Sequence, residues 1–229
     1  MKTRLILLFF SIVISGYCFG QKVLTVDFDS IKIKISDPKS ACYYPKLMER
    51  FGKADTTLTD DELDCIYYGN IFSEKYTPYG GLSKDDDKFY KFYNKGKYKK
   101  AIPYGKKGLK ENPVDLKMLF KMTVCYDQLG DKKTAQEYAD RYFPLLHVIT
   151  RSGDGKTIET AYVVTCVADE YEILADMDLG STQQALYGDT DKLSISPENQ
   201  KNDPKITALY FNVQVSMNYL EKEFEKEVK

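Results

Sequence analysis

A gapless internal repeat constrains this chain more than any other feature. Residues 94–109 (NKGKYKKAIPYGKKGL) align with residues 128–143 (QLGDKKTAQEYADRYF) at a shift of 34. Gly96 falls on Gly130, Ala101 on Ala135, Tyr104 on Tyr138 and Leu109 on Phe143. A period in the thirties is the length of one helix–turn–helix unit, and such units bury their apolar faces by stacking. Each Gly falls where a tight inter-helix turn favours a left-handed backbone. Each Ala lets the second helix approach the first closely. Pro113 closes the first unit, since proline cannot continue the helix. Beyond it Leu116, Leu119, Met122 or Thr123, Tyr126 and Leu129 recur on one helical face. Two units are too few to stand alone, so the flanking segments must cap them.

The N-terminus predicts an address. Lys2 and Arg4 precede an apolar run, Leu5 to Ile14, interrupted only by Ser11. Such a run is about half of what crosses a bilayer, so residues 1–20 are expected to be a signal peptide cut before Gln21. Lipidation at Cys18 is the competing outcome, and the bulky Tyr17 argues against it. The chain is therefore expected to be exported, periplasmic or secreted, with no membrane span left after cleavage. Export permits disulfides. Cys42, Cys65, Cys125 and Cys166 are too few for a disulfide scaffold. Cys42–Cys65 is the one pair worth entertaining, because Cys125 and Cys166 lie in apolar runs that suit buried thiols.

The remainder reads as a single domain over residues 21–229. Residues 24–81 form an N-terminal helical cap, 82–149 the two hairpins, and 150–229 a helix, a β-meander and a helical tail. Residues 24–36 fit a strand through Ile31, Ile33 and Ile35, or a helix through Phe28, Ile31 and Ile35. Residues 39–53 predict a helix with Ser40 as N-cap. Thr59 with Glu62 three residues later is a capping box that starts another, running to about Tyr68. Residues 157–168 are expected to be helical. Tyr171, Ile173, Ala175 and Met177 then alternate with charged residues as a strand would, and 183–196 form a second extended stretch broken near Gly188. Residues 209–217 give the clearest alternation, and the charged tail 219–229 is helical. The expected fold class is α+β, mainly α, with helical hairpins followed by a small antiparallel β-meander.

Few chemistries survive this sequence. With 33 Lys+Arg against 34 Asp+Glu there is no basic footprint for nucleic acid. One His cannot furnish a usual catalytic zinc site, so no metal and no cofactor are expected. That residue, His147, lies in an apolar helical run and is expected to be half-buried and structural. Gly155-Lys156-Thr157 ends like a phosphate-binding loop, but Thr150 stands where the first Gly is required. Ser152-Gly153-Asp154-Gly155 fits a tight turn after a helix instead. Lys88 to Lys110 carries nine lysines and no acid. The lysines are expected to coat the solvated sides of two helices, with an acidic glycan as the ligand they would suit. Tyr67, Tyr68 and Phe72 are expected in the core. Tyr76 and Tyr79, in a Pro/Gly-rich segment, are the better recognition residues.

Residues 82–149 resemble a pair of tetratricopeptide repeats, although Asp85 and Lys88 stand where that motif has large apolar residues. Stacking of that kind would place Tyr90, Tyr93, Asn94, Lys117, Asp127 and Gln128 on an inner surface. The whole chain, over about 24–220, also resembles a family of exported Bacteroidetes proteins, domain-of-unknown-function family 4919. The segments that carry this are 43–59 (YYPKLMERFGKADTTLT), 66–81 (IYYGNIFSEKYTPYGG), 152–155 (SGDG), 169–174 (DEYEIL) and 209–213 (LYFNV). The likeness implies a fold and a location but no activity. The expected function is a non-enzymatic module presenting a helical groove to an envelope or extracellular protein or peptide. The alternative is a carboxylate-based hydrolase or carbohydrate-binding protein using the tyrosine-rich region.

Overall fold

The computed structural model describes residues 26–79, 84–198 and 206–227. The expected signal peptide lies outside them, as does most of the 197–204 loop. Three short helices lead the chain: α1 (Phe28–Ser36), α2 (Tyr44–Gly52) and α3 (Asp60–Tyr67). Of the two patterns open to residues 24–36, the helical one is adopted, with Ile31 and Ile35 buried and Asp27 capping Ser30 N at 2.9 Å. α2 begins later than Ser40, at Tyr44, because Pro45 is suited to a first helical turn. α3 starts on the expected capping box: Thr59 Oγ1 accepts from Glu62 N, and Glu62 Oε2 accepts from Thr59 N at 2.8 Å. Arg50 on α2 holds the same Glu62 carboxylate. Thr59→Ala removes one of these bonds and is expected to cost about 1 kcal/mol in urea unfolding.

The two hairpins follow: α4 (Lys84–Tyr93) with α5 (Tyr98–Glu111), and α6 (Leu116–Gln128) with α7 (Lys132–Arg151). Their turns are copies of each other. Gly96 and Gly130 both adopt a left-handed backbone, φ +65° and +82°. Lys97 N bonds to Phe92 O, and 34 residues on Asp131 N bonds to Tyr126 O. Phe92 stacks on Tyr104 with a 17° interplanar angle, and Tyr126 on Tyr138 with the same angle. Ala101 and Ala135 are both buried. The correspondence ends at the last pair: Leu109 is buried, whereas Phe143 is 55% exposed. All nine lysines from Lys88 to Lys110 are exposed, while Phe89, Ala101 and Leu109 face the core.

A small sheet completes the domain. Its strands are β1 (Tyr162–Val163), β2 (Ser181–Tyr187), β3 (Thr190–Ile195) and β4 (Ala208–Asn212), in the order β1-β4-β3-β2. β2, β3 and β4 make the expected antiparallel meander, with Gly188 (φ +63°) in the β2–β3 turn. β1 adds a short parallel edge, Tyr162 opposite Phe211. Leu193, Ile195, Leu209 and Phe211 turn inward and join the same core as the helices.

Three expectations fail here. Residues 157–166 are not helical. Asp154, Thr157 and Thr160 bond to each other and to nearby backbone, which competes with a helical ladder. Residues 171–176 are not extended but belong to α8 (Val167–Asp176). The buried positions of α8 are Asp169, Glu170, Ile173 and Leu174, a helical face half made of acids. Counting only apolar residues hid its period. Finally, Val215 and Met217 belong to α9 (Gln214–Glu227), which starts as Asn212 Oδ1 accepts from Gln214 N at 3.0 Å.

Candidate functional site

Beside α4, the starts of α6 and α8 bound a cavity of about 190 Å³. Tyr76 and Tyr79 come from the segment after the 3-10 turn Tyr68–Phe72, and Tyr90 from α4. Asn112 comes from the end of α5, Asp115 and Lys117 from the start of α6, and Cys166 and Asp169 from the start of α8. Two helix N-termini thus face one space, each carrying partial positive charge.

Short bonds fix its walls. Tyr76 donates its hydroxyl to Thr165 O at 2.5 Å and meets Tyr219 edge-on. Asn70 donates to Asn112 Oδ1 at 3.2 Å. Asp115 caps α6 by accepting from Met118 N at 2.8 Å. Tyr67, fully buried, donates to Asp169 Oδ2 at 2.6 Å and accepts from Thr165 N. Lys117 Nζ lies 5.5 Å from the Tyr90 ring centre. One turn along, Lys121 Nζ lies 4.7 Å from that of Tyr93.

Charge in this region is shaped by desolvation. Burial holds the Asp169 carboxyl well above the usual carboxylate range, with the negative field of Asp115 adding to it. Burial also raises Asp115 and, further along α8, Glu172, although Lys121 and Lys117 oppose the latter. Lys121 itself is lowered by burial. Tyrosine hydroxyls, side-chain amides and carboxyls together can donate as well as accept hydrogen bonds to a polar ligand.

The sequence-derived candidates divide. Tyr76, Tyr79, Tyr90 and Lys117 all line this cavity, and Tyr79 is 40% exposed. Tyr93 lies next along α4. Asn94, Asp127 and Gln128 lie at the turn end of the hairpins, away from the cavity, and Asp127 pairs with Lys132. Asn70, Asn112, Asp115 and Asp169 join them in the cavity wall. In sequence Asp169 is one acid in the run 169–172, Asp115 is an N-cap residue before the α6 run, and no local pattern marks the two asparagines. His147 corrects another expectation: it is exposed, because α7 turns Leu145, Leu146, Val148 and Ile149 inward. Phe72, expected in the core, is 38% exposed. Cys166 is not in a helical run but precedes α8, half-buried in the cavity wall.

No helix among the described residues is long and apolar enough to cross a membrane. A family model described as a domain of unknown function, DUF4919, matches residues 29–222. Neither the curated proteins nor the solved structures include a match. The matched span takes in every helix from α2 to α8, the whole sheet and the whole cavity, and so this chain belongs to the DUF4919 family.

Proposed function

We propose that this protein is an exported binding module whose cavity takes a small neutral saccharide, or one sugar of a longer glycan. The observation that carries this is the convergence of Tyr76, Tyr79 and Tyr90 with Asn70, Asn112, Asp115 and Asp169 on one space. Aromatic faces pack against the apolar side of a sugar ring, while amides and carboxyls satisfy its hydroxyls. At about 190 Å³ the space is below the usual range for drug-sized ligands, which suits a single ring. The likeness of the hairpins to tetratricopeptide repeats belongs to the same proposal, as the frame that carries the tyrosines. A peptide groove along α6 has less support, because α8 of the same chain packs against α6 and α7.

Calorimetric titration of the purified protein against neutral mono- and oligosaccharides tests this. Tyr90→Ala is expected to weaken binding at least tenfold while leaving the fold intact, since Tyr90 is only partly buried. Binding unaffected by Tyr90→Ala and Tyr79→Ala would move the ligand elsewhere. The proximity of Asp115 and Asp169 favours a second reading, a glycoside hydrolase using both carboxyls. Release of reducing ends, abolished in Asp169→Asn, would identify it.

A further inference from the structure

The whole of α2 lies between Cys42 and Cys65, yet the fold brings them together. Cys42 lies in the turn before α2 and Cys65 in α3. Both are buried, at 2% and 0% exposure. Asp61 stands one helical turn before Cys65, so the two share a face of α3. The ligating atoms of Cys42, Asp61 and Cys65 all lie within 4.8 Å of one another. Cys42 Sγ is 3.4 Å from Asp61 Oδ2. Lys34 on α1 holds the other carboxylate oxygen, Asp61 Oδ1, at 2.5 Å.

These dimensions match a coordination sphere. With Zn–S near 2.3 Å and Zn–O near 2.0–2.2 Å, tetrahedral edges are about 3.5–3.8 Å. The three donors reach that geometry with shifts of about an ångström. Two thiolates and one carboxylate against one ammonium leave a net charge of −2, which one divalent cation cancels. We propose that Cys42, Cys65 and Asp61 form a three-donor site for a thiophilic divalent cation of the zinc class. Lys34 fixes the Asp61 carboxylate, and the fourth position is left to water or a small anion. Sulfur donors select such an ion over calcium or magnesium. Binding displaces the two thiol protons to solvent and forms two metal–sulfur bonds, with no change in oxidation state. The ion would tie α1, the turn before α2, and α3 into one unit. A Cys42–Cys65 disulfide would use the two sulfurs but leave the approach of Asp61 unexplained.

The test adds Co²⁺ to the full, reduced, metal-stripped protein under anaerobic conditions. The expected result is a thiolate-to-cobalt charge-transfer band that saturates at one equivalent and is displaced by Zn²⁺. Cys42→Ser and Cys65→Ser remove the band. Asp61→Asn, whose side chain is 62% exposed and so tolerates replacement, keeps the fold and weakens Zn²⁺ binding about tenfold or more. Absence of the band in reduced, folded wild-type protein overturns the proposal. So does protein isolated from its cell with Cys42 and Cys65 joined and no bound metal.

Discussion

Glu170→Gln is expected to stabilise this protein at pH 8 and to change little at pH 5. Glu170 is fully buried in the first turns of α8. Among the described residues, neither of its carboxyl oxygens meets an N–H or O–H donor. The group facing it is another carboxyl, Asp191 on β3, which accepts from Gln184 Nε2 at 2.7 Å. Two carboxyls can share a hydrogen bond only if one keeps its proton. Burial, reinforced by Asp191 and Asp169, pushes Glu170 up to about 9. In the unfolded chain it titrates near the ordinary 4.5. The folded state therefore binds a proton that the unfolded state releases. This contribution is fully present below about pH 4.5 and is lost, at about 1.4 kcal/mol per pH unit, as pH rises towards 9. Gln has the same shape, stays neutral, and offers Asp191 an N–H at every pH. The expected gain is roughly 4–5 kcal/mol at pH 8, or a rise in melting temperature of about 8–20 °C. Thermal melts of both proteins at pH 5 and pH 8 check it. A difference that does not grow with pH would mean that Glu170 is ionised in the fold.

The same residue explains why some of the fold was legible in sequence and some was not. The hairpins were readable because their information is local: a glycine, an alanine and stacked aromatics repeated at 34 residues. The capping box at Thr59 was readable for the same reason. α8 escapes a hydrophobic pattern because Asp169 and Glu170 occupy buried positions that such a pattern assigns to solvent. Those acids are tolerated only through partners distant in sequence: Tyr67 for Asp169, and Asp191 for Glu170. The cavity follows the same division. Tyr76 and Tyr79 stand out in sequence as aromatic residues in a Pro/Gly segment. Asn70 and Asn112 carry no local signal, and Asp115 signals only a helix start; tertiary packing gathers the three.

Gly153→Ala is expected to cost about 3 kcal/mol or more, well above Gly96→Ala, although only Gly96 has a left-handed backbone. At Gly96 an added Cβ meets nothing within 4 Å among the described residues. The penalty there is conformational, about 1–2 kcal/mol. At Gly153 the added carbon would press against the Thr160 carbonyl oxygen and lie 2.7 Å from that of Ala161. Neither oxygen belongs to a side chain that can swing away. Thr160 O already accepts from Asp154 N at 3.0 Å and from Gly155 N at 2.8 Å, which closes the loop after α7. That loop also registers the sheet. Ser152 Oγ accepts from Val163 N on β1 at 2.8 Å, and Gly155 O accepts from Tyr210 N on β4 at 2.8 Å. Opening it to admit a methyl group therefore disturbs both strands as well as the turn. At about 2–4 °C per kcal/mol for a chain of this size, Gly153→Ala should lower the melting temperature by roughly 6–12 °C, against about 2–8 °C for Gly96→Ala. Side-by-side thermal melts decide it. Equal shifts would mean that the 152–160 loop yields freely and does not hold β1 and β4 in place.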